Sequence, residues 1–321
     1  MSITDTIAAD NIDRLLTVEI RRAGVVRGFK AVLQETVRED ADEALVLSAA
    51  RLLDRAPARI GIVTGAAVPE HMPVGESDGP FGAVVLTRAL ERIGHQVTIY
   101  TDPVCAPPIA ALLRRDHRAA GITELRYNDR PQQEEAAAAC DVLVAIERLG
   151  GNVNGHIYGM TAIGRDAFRT NVDHMFHTHA KLGRESLGIG DGGNEIGFGR
   201  FRERLAQRLP QINQADRTPC GGGVFSAVPT TRLAVGSTSN LTAYGVCAAL
   251  ALLRRDAALC HDPDDEEALH HVGVGLGLAD GGGGGIIAAC DGIPARTNAA
   301  LVLVMRTIVE RALEPARKRA F

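Results

Sequence analysis

The sequence predicts an α/β protein, with a mostly parallel sheet flanked by helices in a Rossmann-like three-layer arrangement and a helical segment ahead of it. Between residues 60 and 147, short β-rich apolar runs alternate with helix-patterned stretches, which is how βαβ units read in sequence. Glycine- and acid-rich loops follow several of those runs, at the strand ends where parallel sheets bind ligands. No linker divides the 321 residues, so residues 1–321 are read as a single domain, with residues 1–57 as a helical N-terminal arm.

In chain order, residues 10 to 55 carry apolar positions at helical spacing, Ile12, Leu15 and Leu16 in one stretch and Leu45, Leu47, Leu52 and Leu53 in another. Pro57 closes that region. Ile60 to Thr64 reads as a strand ending at Gly65, and Pro80 to Ile93 as a helix. Gln96 to Thr101, Ile122 to Tyr127 and Asp141 to Glu147 read as further strands, separated by helices at Pro107 to Ala119 and Pro131 to Ala139. Beyond Arg148, Leu187 to Ile189 and Arg232 to Val235 are expected strands. The segment NEIGFGRFRERLAQRL is an expected helix, and so is Leu241 to Leu253, capped by Ser239 or Asn240. The five consecutive glycines within Val272 to Asp291 belong to a loop, because neither a helix nor a strand tolerates them.

Composition narrows the function. With 45% hydrophobic residues and a net charge of -4, the chain has no basic surplus for nucleic acid, and no apolar run reaches the roughly 18 residues of a membrane span. The acidic start MSITDTIAADNIDR has no apolar core of a signal peptide. Six scattered cysteines without a CxxC pair read as free thiols in a reducing compartment, and the cytoplasm is the expected location. A homodimer is the expected assembly, as the commonest closed one.

The chemistry is expected in SLGIGDGGNEIGFG, residues 186 to 199, where six glycines accompany Asp191, Asn194 and Glu195. Glycines allow close backbone approach to a ligand, and a plain turn needs no clustered acids. Glu76, Ser77, Asp78 and Gly79 precede the helix at Pro80, and Glu147 with Arg148 ends a strand. Carboxylates that converge need a proton or a cation between them, and an all-oxygen set suits Mn²⁺ or Mg²⁺ rather than Zn²⁺. Residues 188 to 193 match GxGxxG, but Asp191 and Glu195 would repel a pyrophosphate. No P-loop lysine motif or HExxH is present. His174, His177 and His179 are spaced i, i+3, i+5 and cannot share one helix face, which favours loop or solvated histidines over a metal site. The residues alone leave open a metal-dependent hydrolase of a small phosphate ester and a non-catalytic amino-acid-binding module.

In IGIVTG (60–65), ESDGPFGAVVLTRAL (76–90), DVLVAIERLG (141–150), GIGDGGNEIGFG (188–199) and STSNLTAYG (237–245), the chain resembles the D-glutamate cyclase family. The resemblance implies an α/β domain and closure of D-glutamate to 5-oxo-D-proline with loss of water, with a divalent metal, Mn²⁺ or Mg²⁺, as cofactor. It implies Glu147, Asp191 and Glu195 as catalytic residues and metal ligands. Asp78, Gly79, Arg148, Gly192, Gly193, Asn194, Ser239 and Asn240 are implied as substrate-binding residues. Three positions depart from the family pattern, and they are expected near the pocket: Leu241 in place of a tryptophan, Phe198 in place of a methionine, and Asn154-Gly155 in place of an acidic Asp-Gly.

Overall fold

The computed structural model describes residues 2–20 and 28–315. The N-terminal region holds α1 (Ile3–Leu16), α2 (Phe29–Arg38) and α3 (Leu45–Leu53). Ser2 and Asp5 form a capping box that starts α1. The helical N-terminal region thus consists of three helices among the described residues, and its residues 21–27 lie outside them. Next come β1 (Arg59–Val63), α4 (Pro80–Arg92), β2 (Gln96–Thr101), α5 (Ala106–Arg115), β3 (Gly121–Glu124), α6 (Arg130–Ala139) and β4 (Val142–Ile146). Each matches a predicted element within a few residues.

The second half adds α7 (Asp173–Lys181), β5 (Glu185–Gly190), α8 (Arg202–Arg208), α9 (Pro210–Asn213), β6 (Arg232–Val235), α10 (Ser239–Arg254) and α11 (Pro263–Gly275). A small hairpin, β7 (Ala289–Cys290) and β8 (Ile293–Pro294), precedes α12 (Ala295–Leu313). The helix expected from Asn194 forms only as α8. Gly193 and Gly197 take φ of 95° and 124°, a left-handed backbone that no α-helix continues through. The α10 cap is Thr238, whose side chain accepts the Leu241 N–H at 3.1 Å, rather than Ser239 or Asn240.

The six strands of the main sheet are all parallel, in the order β3-β2-β1-β4-β5-β6. Parallel strands are covered on both faces, and successive residues of β4 show it. Val142, Val144 and Ile146 join the large core beneath α4, α10 and α3, while Leu143 and Ala145 join a second core with Ala136, Ala137 and Met175 of α6 and α7. A third cluster packs Phe29, Leu33 and Val37 of α2 against Leu205 and Leu233. The chain winds outward from β1 through β2 to β3, then crosses back to β4. The crevice beyond the C-terminal ends of β1 and β4 is thus a topological switch point, the usual ligand position in such sheets. No described helix is long and apolar enough to cross a membrane.

Candidate active site

A cavity of about 440 Å³ opens at that switch point. Its wall includes Glu76, Glu147, Asp191, Gly192 and Asn194, all singled out in the sequence, and Lys30, Arg165, Arg169 and Asp291, which were not.

Glu147 is the first residue after β4 and adopts φ 49°, unusual for a residue with a Cβ. The turn throws its carboxyl toward α10, where Ser239 Oγ donates to Oε2 at 2.6 Å. Burial, and after it the charges of Asp191, Glu195 and Asp78, push this carboxyl well above the usual carboxylate range. Gly79 lets the β1 loop reach the same point. A Cβ there would lie 2.7 Å from Thr64 Oγ1 and 2.9 Å from Glu147 Cβ, and φ is 92°.

Asp78 stands behind the wall and ties the β1 loop to α10. Its oxygens accept the N–H groups of Asn240 at 2.7 Å and Ser239 at 3.0 Å. Asn240 answers by accepting the N–H groups of Gly79 and Gly82 at 2.9 and 2.7 Å. Burial first, then Asp291 and Asp191, raise the Asp78 carboxyl well above its ordinary value. Glu195 is fully buried, and its carboxylate accepts the N–H groups of Asp191, Gly192 and Gly193 at 2.7 to 2.8 Å. It therefore folds the glycine loop that presents Asp191. Asn194 donates Nδ2 to the Tyr158 carbonyl at 2.9 Å and also faces the cavity.

Arg148 is completely buried and does not line the cavity. Its guanidinium pairs with Asp102 and donates to the Thr170 carbonyl at 2.6 Å, so it braces the loops behind the site. Lys30, 1% exposed, places its ammonium against Asp191 and 4.0 Å from Asp291. The sequence reading missed Lys30 although a signal existed: lysine is rare in this chain, three against thirty-two arginines. Asp291 is carried by the β7–β8 turn. Gly281 lies so close to Glu76 that a Cβ would fall 2.0 Å from Oε2, which explains why the glycine run reaches the wall.

Among the described residues, two sets of carboxylates have ligand oxygens within 4.8 Å of one another: Asp78 with Asp191 and Asp291, and Glu147 with Asp191 and Glu195. Hard oxygen donors at this density fit a divalent cation such as Mn²⁺ or Mg²⁺. Asp191 belongs to both groups. The histidine trio gives no such cluster. His179 is buried between the Ala137 and Glu185 carbonyls, each 3.0 Å away, and His174 pairs with Glu134. The three departing positions do not line the cavity either. Leu241 and Phe198 lie in the apolar cores, and Asn154 donates to the Cys220 carbonyl at 2.9 Å.

The profile of the family described as "D-glutamate cyclase-like, C-terminal" matches residues 17–306. A human protein named D-glutamate cyclase, mitochondrial, is 29% identical over 199 residues, which is 57% of this chain and 31% of the relative. The aligned part thus spans about a third of that relative's length. Among solved structures, a short-chain dehydrogenase/reductase from Serratia marcescens aligns with 50% of this chain and 67% of its own, at 13% identity and a TM-score of 0.27. An actinorhodin polyketide ketoreductase aligns with 78% and 90% respectively, at 12% identity and a TM-score of 0.29. At such scores these likenesses carry no argument about chemistry.

Proposed function

The chain belongs to the D-glutamate cyclase-like family, and from that premise we propose that it closes D-glutamate, or a close relative, to a five-membered lactam with release of water. The observation that carries this reading is the convergence of Glu147 and Asp191 with the buried ammonium of Lys30 on one cavity at the sheet's switch point. In the reaction the α-nitrogen bonds to the side-chain carboxyl carbon and a carbon–oxygen bond breaks. The nitrogen gives up two protons and the departing oxygen takes up two, so no other reactant is needed.

A curled substrate held in a cavity of this size brings nitrogen and carbon together, which removes several kcal/mol of the barrier. Glu147, its carboxyl raised by burial and by neighbouring acids, is suited to carry a proton between nitrogen and oxygen. Ser239 Oγ holds it in place. Asp191 faces the amine, with Lys30 balancing its charge, and Glu195 keeps the Asp191 loop in shape. Asn194 orients the substrate from the cavity wall beside Gly192, while Asp78, Gly79, Gly193 and Asn240 shape that wall from behind. A divalent cation, Mn²⁺ or Mg²⁺, would be held by Asp191 with Glu147 or with Asp78 and Asp291, and would polarise the carboxyl under attack. A homodimer in a reducing compartment such as the cytoplasm completes the proposal, the six cysteines being free.

The test is an NMR assay of the purified chain with D- and L-glutamate, with and without Mn²⁺. The expected result is 5-oxoproline from the D-enantiomer alone, lost on chelation. Absence of product from both enantiomers under every metal tried would overturn the reading.

A further inference from the structure

Most buried or half-buried cations of this protein have an anionic partner. Arg148 pairs with Asp102, Arg88 and Arg115 with Asp265, and Lys30 with Asp191. Arg165 and Arg169 are different. Both line the cavity at the switch point, and among the described residues neither makes an ion pair. Arg169 is 3% exposed, donates only to the Ala67 carbonyl at 3.3 Å, and its Nε has no partner. Arg165 makes no side-chain hydrogen bond among the described residues and lies over the Phe168 ring at 5.8 Å. One helical turn, closed by the Arg169 N–H on the Arg165 carbonyl at 3.1 Å, sets the two side chains four residues apart on one side. Glu76 on the same wall acts on both through its charge but pairs with neither, and a buried guanidinium with no paired anion is costly.

We propose that Arg165 and Arg169 form the subsite for the non-reacting carboxylate of the substrate. This rests on the cyclisation reading. The planar guanidinium fork matches a carboxylate with paired hydrogen bonds. Asp191, Glu147 and Asp291 on the same cavity wall attract the ammonium. A zwitterion carrying a second carboxylate is thereby bound by charge at both ends. Arg148, the arginine next to Glu147 in sequence, is committed to Asp102, and this pair takes the role expected of it.

The experiment compares the full chain with Arg165→Gln and Arg169→Lys on two substrates. D-Glutamate carries the extra carboxylate, whereas 4-aminobutyrate has the same amine-to-carboxyl spacing without it and would close to 2-pyrrolidinone. The expected result is a KM for D-glutamate raised roughly ten- to a hundredfold in Arg165→Gln, the size of a lost charge-assisted hydrogen bond. Turnover of 4-aminobutyrate stays within about twofold. Equal losses on both substrates, or an unchanged KM for D-glutamate, would overturn the subsite. Arg169→Lys keeps the charge but loses the fork, and is expected to fall between wild type and Arg165→Gln. If it does not fold, Arg165→Gln decides alone. Should wild type turn over neither substrate, the cyclisation reading fails, and calorimetry with D-glutamate and glutarate judges the subsite. Binding to wild type that weakens in Arg165→Gln supports it, while equal binding, no binding, or tighter binding of inorganic phosphate than of glutarate overturns it.

Discussion

At Asp191 the backbone, a neighbouring acid and a buried cation meet. Glu195 accepts three consecutive N–H groups, so the side chain read from sequence as a ligand also sets the position of the next one. Asp191→Asn is expected to abolish 5-oxoproline formation with the circular dichroism spectrum unchanged, and full activity would remove Asp191 from the mechanism. A second buried acid lies away from the site. Glu266 accepts from His261 at 2.9 Å and His270 at 3.0 Å. Against a burial that opposes it, this pairing lowers its carboxyl from 4.5 to about 2. A lowered value means that the folded state releases the proton first. The stabilisation is present above about pH 4.5 and is lost as pH falls toward 2. Glu266→Gln is therefore expected to cost roughly 3 kcal/mol at pH 6 and progressively less below pH 4.5, read from urea midpoints. A pH-independent cost would contradict the pairing. The carboxylates of the glycine loop were legible in sequence because clustered acids are rare in plain turns. Arg165, Arg169 and Asp291 were not, since nothing local shows that they reach the same cavity.

The strands β1, β2, β4 and β6 begin and end close to where the residue pattern places them, because short apolar runs bounded by polar or turn residues leave few alternatives. The errors fall where side chains override local preference. Thr238, Ser239 and Asn240 are each plausible helix caps. The structure divides the work: Thr238 caps α10, Ser239 holds Glu147, and Asn240 bridges to the β1 loop. Thr238→Ala should cost about 1 kcal/mol of stability, measured by urea unfolding. Ser239→Ala keeps the cap, and its expected effect is on turnover instead. Equal stability losses in both would show that the division is not real. Helix α12 went unread although Val302, Met305 and Val309 are buried at helical spacing. A helix this far from any strand signal gives sequence reasoning little to attach it to.

Across the whole molecule, the strand order carries the loops after β1, β4 and β5 and the start of α10 to one crevice. Residues as far apart in sequence as Lys30 and Asp291 come within 4.0 Å. A cation bound there stabilises the folded state by mass action. Mn²⁺ is expected to raise the melting temperature of the wild type in a concentration-dependent way, and Asp191→Asn to remove the shift. A shift that survives in the variant would place the cation elsewhere. Alternating apolar runs determined the α/β class by themselves, since strand and helix periods are local properties of the chain. The loop chemistry likewise determined that acids gather around glycines near Asp191. Only the tertiary structure decided which charges meet: that Arg148 turns inward to Asp102, that Lys30 faces Asp191, and that Arg165 and Arg169 reach the cavity wall. Such pairings depend on the crossover from β3 back to β4, and no spacing along the sequence records where that crossover brings distant side chains together.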